Sequence, residues 1–116
     1  IYSLRTKQFF TRSASLAFTI EDEFAQLGRA SRGAKQRTKG IWVLQATAMP
    51  SVLIELGYIS NPDEEAYLNS EDGQNQLAEA IVRAIRRYKY ALENRQLPQA
   101  PITDSIQVAG DTPSGK

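Results

Sequence analysis

The chain contains no cysteine and no histidine. The first absence excludes a disulfide framework and thiol catalysis. The second excludes a histidine-bearing triad, and it excludes a histidine-bearing zinc site built from this chain alone. No apolar run approaches the ~18 residues of a membrane-spanning helix. Neither sign of charge dominates: 14 Lys and Arg stand against 13 Asp and Glu, for a net charge of +1. The basic residues are scattered rather than patched, so nothing points to nucleic acid. No internal repeat is visible. With 116 residues the chain is one domain or part of one. It opens at Ile1 without Met, signal peptide or turn, as though a helix were already under way. A fragment or a processed piece of a longer protein is therefore expected.

What is present centres on the run from Pro50 to Pro62, P-S-V-L-I-E-L-G-Y-I-S-N-P. Its middle, Val52 to Leu56, is an apolar stretch of strand length carrying one carboxylate, Glu55. Burying an unpaired carboxylate costs several kcal/mol or forces it to take up a proton. Glu55 can be explained blandly, as the partner of an Arg or Lys or as a side chain that reaches solvent. It can also be a site carboxylate near the carboxyl end of a strand, where open α/β sheets bind ligands and where a perturbed acid suits acid/base work.

The surrounding pattern reads as α/β. Residues 3–27 predict a helix with Leu16, Ala17, Ile20, Phe24 and Leu27 on its apolar side. Glu21, Asp22 and Glu23 lie on the other side, and Gly28 is the stop. Residues 29–40 form a polar, basic, turn-rich loop in which Arg32 and Lys35 are candidates for contact with an anionic substrate. The alternative there is a simply solvated loop. Ile41 to Ala46 predicts a strand from its β-favouring residues. The link to Val52 is too short for a parallel crossover, so the two strands, if neighbours, should be antiparallel. Alternation sets Val52, Ile54 and Leu56 on one face, with Leu53 and Glu55 on the other.

Asn61, Pro62 and Glu64 make a helix start with a cap, a proline at the first helical position and the acid of a capping box. That short helix should run to Leu68. Ser70 then caps a second helix, with Leu77, Ile81, Ala84, Ile85, Tyr88 and Leu92 as its apolar stripe. Arg83, Arg86, Arg87 and Lys89 are expected to be solvated. From Gln96 to Lys116, prolines, glycines and small polar residues predict a flexible tail or linker.

The stretch from Met49 to Glu65, M-P-S-V-L-I-E-L-G-Y-I-S-N-P-D-E-E, followed by Leu68, resembles the signature of the zinc-dependent N-acetylmuramoyl-L-alanine amidases of bacteria. The resemblance runs from about Ser13 to about Tyr88. It takes in Ser15, Leu16 and Ala17, then Arg32 to Lys35, Val43 and Leu44, and the closing helix with Leu77, Ala78, Ala80 and Ile81. Tyr58 departs from the more usual Phe, and Ile41 and Trp42 replace smaller residues. The resemblance implies an enzyme that cuts the amide between N-acetylmuramic acid and L-alanine of the peptidoglycan stem peptide. It implies Glu55 as the acid/base beside zinc, with peptidoglycan as partner and the bacterial periplasm or cell envelope as location.

It also implies a fold. Residues 1–95 would be the C-terminal half of a catalytic domain, with about two strands and three helices from a mostly parallel sheet flanked by helices. The zinc ligands would lie in the other half, so none is expected in this chain, and an activator protein or the remainder of the domain is a possible partner. Such a piece should be inactive alone. It should leave strand edges and inner helix faces uncovered. The alternative is a non-catalytic, amidase-like binding or regulatory module without a metal site. A generic α/β interaction domain with a salt-bridged Glu55 is a third reading.

Overall fold

The structure, a computed structural model, describes residues 4–36, 39–96 and 107–108. The first helix, α1, runs over Leu4–Ala25. Thr11, Ser13 and Thr19 each turn their hydroxyl back onto the carbonyl four residues earlier, at 3.0, 2.7 and 2.8 Å. That keeps short polar side chains from competing with the helix from outside. Gly28, at φ 73°, takes the left-handed conformation just past the end and donates its N–H to Ala25 O at 3.1 Å. The helix expected over residues 3–27 is therefore present within the described residues, and so is its stop.

Two further helices are nearly continuous with each other. The first covers Pro62–Asn69 and the second Glu71–Glu93. Asn61 caps the former, its Oδ1 accepting from the N–H groups of Asp63 (3.0 Å) and Glu64 (3.3 Å), with Pro62 at the first position. Ser70 caps the latter, accepting from Gly73 N at 3.0 Å, and Glu71 and Asp72 sit in the positive first turn. Both caps follow the expectation. The capping box does not close as expected. Glu64 accepts from the backbone N–H of Tyr58, while Asn61 N donates to Tyr58 O at 3.1 Å.

Between α1 and these helices lies one short element that overturns an expectation. The strand predicted over Ile41 to Ala46 is a single helical stretch, Trp42–Ala46, which becomes α2 in chain order. Pro62–Asn69 is then α3 and Glu71–Glu93 α4. The β preference of Ile, Trp, Val and Leu reflects packing on a paired, half-buried surface. Among the described residues no strand pairs with this segment. A helical turn satisfies its own backbone: Leu44 and Gln45 donate to Ile41 O at 3.0 and 3.2 Å. None of its residues is buried.

Val52 to Leu56, the second expected strand, has no regular secondary structure either. The expected antiparallel pair is therefore not formed. Its alternation survives in the burial pattern: Val52 and Ile54 are half-buried, Leu53 and Glu55 exposed. Leu56 breaks the pattern by being exposed too. Strand pairing is confined to β1 (Lys35–Gln36) and β2 (Gln107–Val108), two residues each and parallel, with Lys35 opposite Gln107 and Gln36 opposite Val108. Among the described residues the molecule is thus four helices and this one small pairing. The mostly parallel sheet is not formed here, because a sheet needs partner strands that these residues do not supply. Most of the expected tail, 97–106 and 109–116, lies outside the described residues.

The core is the α1–α4 contact. Ile20 from α1 and Leu77, Ala80, Ala84 and Ala91 from α4 are its buried apolar residues. Ser15, Thr19 and Glu23 of α1 are buried with them. Small side chains on both helices let the two backbones approach closely. The α4 stripe is therefore narrower than expected, with Ile85 half exposed to solvent at 50 % and Ala80 and Ala91 taking part instead.

Candidate active site and the segment that carries it

Glu55 lies in a segment fastened at both ends. At one end Ser51 N donates to Ser13 Oγ of α1 at 2.9 Å, and Ser51 Oγ donates to Leu44 O at 3.0 Å. At the other end Tyr58 N donates to Glu64, whose helix is itself capped by Asn61. The six residues Val52 to Gly57 therefore span the gap between these anchors on α1 and α3. The Glu55 side chain is exposed. This agrees with the reading in which the side chain reaches solvent, since the apolar strand that would bury it is not formed here.

Two arginines from the loop after α1 lie on tyrosines that flank this segment. The Arg32 guanidinium carbon is 4.0 Å from the Tyr58 ring centroid. That of Arg29 is 4.2 Å from the Tyr67 centroid. Both are within cation–π range. Gly57, two residues past Glu55, is closely surrounded. A Cβ there would meet Arg29 Nη2 and Glu64 Oε2 at 3.2 Å each and Leu68 Cδ1 at 3.3 Å. A side chain there would make these neighbours give way by a few tenths of an ångström. Of the two loop cations singled out in the sequence, Arg32 is thus brought onto the Glu55 segment. Lys35 enters β1 with its side chain exposed. Arg29 was not among the candidates. Its signal was the tyrosine at position 67, far away in sequence.

A second carboxylate was misjudged. Glu23, expected on the solvent side of α1, is buried at 4 % exposure. Arg83 Nε donates to its Oε2 at 2.9 Å and Arg87 Nη1 to its Oε1 at 2.7 Å. Arg87 also holds Asp22 at 2.6 Å. The hydrogen bond from Arg83, and then that from Arg87, keep the Glu23 carboxyl below its ordinary value, against a burial that would raise it. Arg83 and Arg87 are therefore not merely solvated charges. Every acceptor in this cluster faces an arginine across α1 and α4, which makes it a tie between helices.

Zinc can be tested against the donors present. Catalytic zinc sites use three protein ligands, commonly histidines with a carboxylate or cysteine. This chain has neither histidine nor cysteine. Among the described residues no group of three or more His, Cys, Asp or Glu could hold a metal ion. The donor set does not fit zinc. No helix among the described residues is long and apolar enough to cross a membrane.

The family described as N-acetylmuramoyl-L-alanine amidase matches residues 1–87, including the whole of the Glu55 segment. The chain belongs to this amidase family. It is 35 % identical over 80 residues to the germination-specific N-acetylmuramoyl-L-alanine amidase of Bacillus subtilis, covering 68 % of this chain and 33 % of that protein. It is 35 % identical over 81 residues to the probable cell wall amidase LytH of Staphylococcus epidermidis, covering 69 % and 27 %. It is 34 % identical over 76 residues to the N-acetylmuramoyl-L-alanine amidase AmiC of Neisseria meningitidis, covering 66 % and 18 %. The amidase chain thus spans a third or less of the length of these relatives. No solved structure matches it.

Proposed function

We propose that this chain works as part of a peptidoglycan hydrolase that cleaves the amide between N-acetylmuramic acid and L-alanine of the stem peptide. One observation carries the reading. The family match over residues 1–87 takes in the entire run around Glu55. Glu55 is the proposed general acid/base. Its carboxylate accepts a proton from the water whose oxygen attacks the amide carbonyl. It then delivers that proton to the alanine nitrogen as the C–N bond breaks. Arg32 and Lys35 face the substrate in this reading.

In the parent enzyme, residues 1–95 form the C-terminal half of the catalytic domain and residues 96–116 a linker. A zinc ion, where the parent enzyme uses one, takes its ligands from residues other than these. The site of action is the cell envelope, in the periplasm where there is one.

The deciding experiment is Glu55→Gln in the intact gene product, assayed on purified sacculi. Release of stem peptide should fall by roughly 10²–10⁴-fold with the thermal melt unchanged. Hydrolysis at the wild-type rate would remove Glu55 from the chemistry. A second reading is an amidase-like module that binds peptidoglycan without cutting it. It requires that the intact gene product bind sacculi and release nothing from them.

A further inference from the structure

The two arginine–tyrosine stacks are built alike, and both are braced from behind. Tyr67 donates its hydroxyl to Gln76 Oε1 of α4 at 2.9 Å. Tyr58 has its backbone tied to Glu64. The loop between the arginines is pinned by Ser31, which donates to Glu21 Oε1 at 2.6 Å and accepts from Gly33 N at 3.0 Å. Stacking occupies the face of a guanidinium and leaves its in-plane N–H groups at the edge, in the fork that matches a carboxylate. Neither arginine forms an ion pair with another described residue. Glu21 and Glu64 accept from Ser31 and Tyr58.

The stacks also stand close to Glu55. Arg29 lies against Gly57, two residues on, and two residues of chain span at most about 7 Å. Arg32 lies on Tyr58, three residues on, within about 11 Å along the chain.

We propose that Arg29 and Arg32 form a carboxylate subsite that receives the free carboxylate of the second stem-peptide residue, just beyond the alanine whose nitrogen is the leaving group. The inference rests on the peptidoglycan amidase reading and deepens it. The second stem residue lies one residue beyond the alanine whose bond is cut, and the two stacks lie within two to three residues of chain from Glu55. The pair selects an acidic second residue over its carboxamide. Lys35, exposed and without a stacking partner among the described residues, contributes little to that choice.

The test uses two probes on the intact gene product, both with the γ-carboxyl of the second residue blocked as its methylamide: N-acetylmuramyl-L-alanyl-D-glutamate with its α-carboxylate free, and the D-isoglutamine counterpart in which that carboxylate is amidated. Titration should give roughly tenfold to hundredfold tighter binding of the acid, the range of a hydrogen bond to a charged group. Arg29→Ala with Arg32→Ala should abolish that preference. Arg32→Lys, which keeps the charge and loses the fork, should retain part of it, and a thermal melt confirms that each variant is folded. Equal or undetectable binding of both probes by the wild type overturns the subsite, as does a preference that survives in the double variant. Hydrolysis of sacculi without any preference sinks the subsite and spares the enzyme. A preference without hydrolysis sinks the enzyme and spares the subsite.

Discussion

The α1–α4 pair and the segment from Ile41 to Ser60 use their residues in opposite ways. The helix pair buries small side chains, Ser15, Thr19, Ala80, Ala84 and Ala91, around Ile20 and Leu77. The segment exposes large ones: Trp42 and Ile59 at 78 %, with Val43, Met49 and Leu53 also open. Each region also holds a carboxylate of interest. Glu23 is buried and held by two arginines; Glu55 is exposed. Apolar content alone therefore does not say where a core is. The helix pair closes on itself because both partners are in the chain. The segment's apolar residues face open surface, since the described residues offer no strand for it to pair with.

The sharpest way to break this comparison is to strand Glu23. Replacing Arg83 and Arg87 together by Met leaves a buried carboxylate without its donors. That should cost about 3 kcal/mol, the low end for an orphaned buried charge, because both arginines are half exposed. Urea titration measures it. The same cluster sets a pH dependence. The folded carboxyl lies below the ordinary 4.5, so its contribution is complete above that value and is lost as pH falls through the folded pKa. Melts from pH 7 to 3 should decline below about pH 4.5 in the wild type and more shallowly in Glu23→Gln. Parallel curves would mean that the arginines do not favour the charged form.

A second pair of changes contrasts the two regions directly. Leu77→Ala should cost about 2–5 kcal/mol, the range for a buried leucine. Trp42→Ala removes a far larger side chain and should change stability by no more than about 0.5 kcal/mol, because that side chain is mostly in water already. If Trp42→Ala proved the costlier, the segment would have a covering partner in solution. The last change is Tyr88→Phe. The Tyr88 hydroxyl is buried with no hydrogen-bond partner among the described residues, and burial pushes its pKa up. Removing it should leave stability unchanged or raise it by up to about 1 kcal/mol. A clear loss would reveal a partner for that hydroxyl.

Local signals were legible in the sequence wherever one residue answers its near neighbours. Asn61 and Ser70 cap the helices predicted for them, and Gly28 ends α1. Where the answer lies far along the chain, reading failed. Glu23 meets its arginines 60 and 64 positions away, and Arg29 meets Tyr67 across the loop. Glu64 serves Tyr58 rather than closing its own capping box. Ile41 to Ala46 has strand-like residues but no ladder to join, and so coils into α2.

The sequence by itself determined the three main helices, their caps and the motif that places the chain among the amidases. Those depend on contacts within a few residues, or on the order of residues alone. Only the tertiary structure decided which carboxylate is buried and which is open, and which cations stack beside Glu55. Burial and charge pairing belong to the surfaces that come together, and neighbours in space need not be neighbours in the chain.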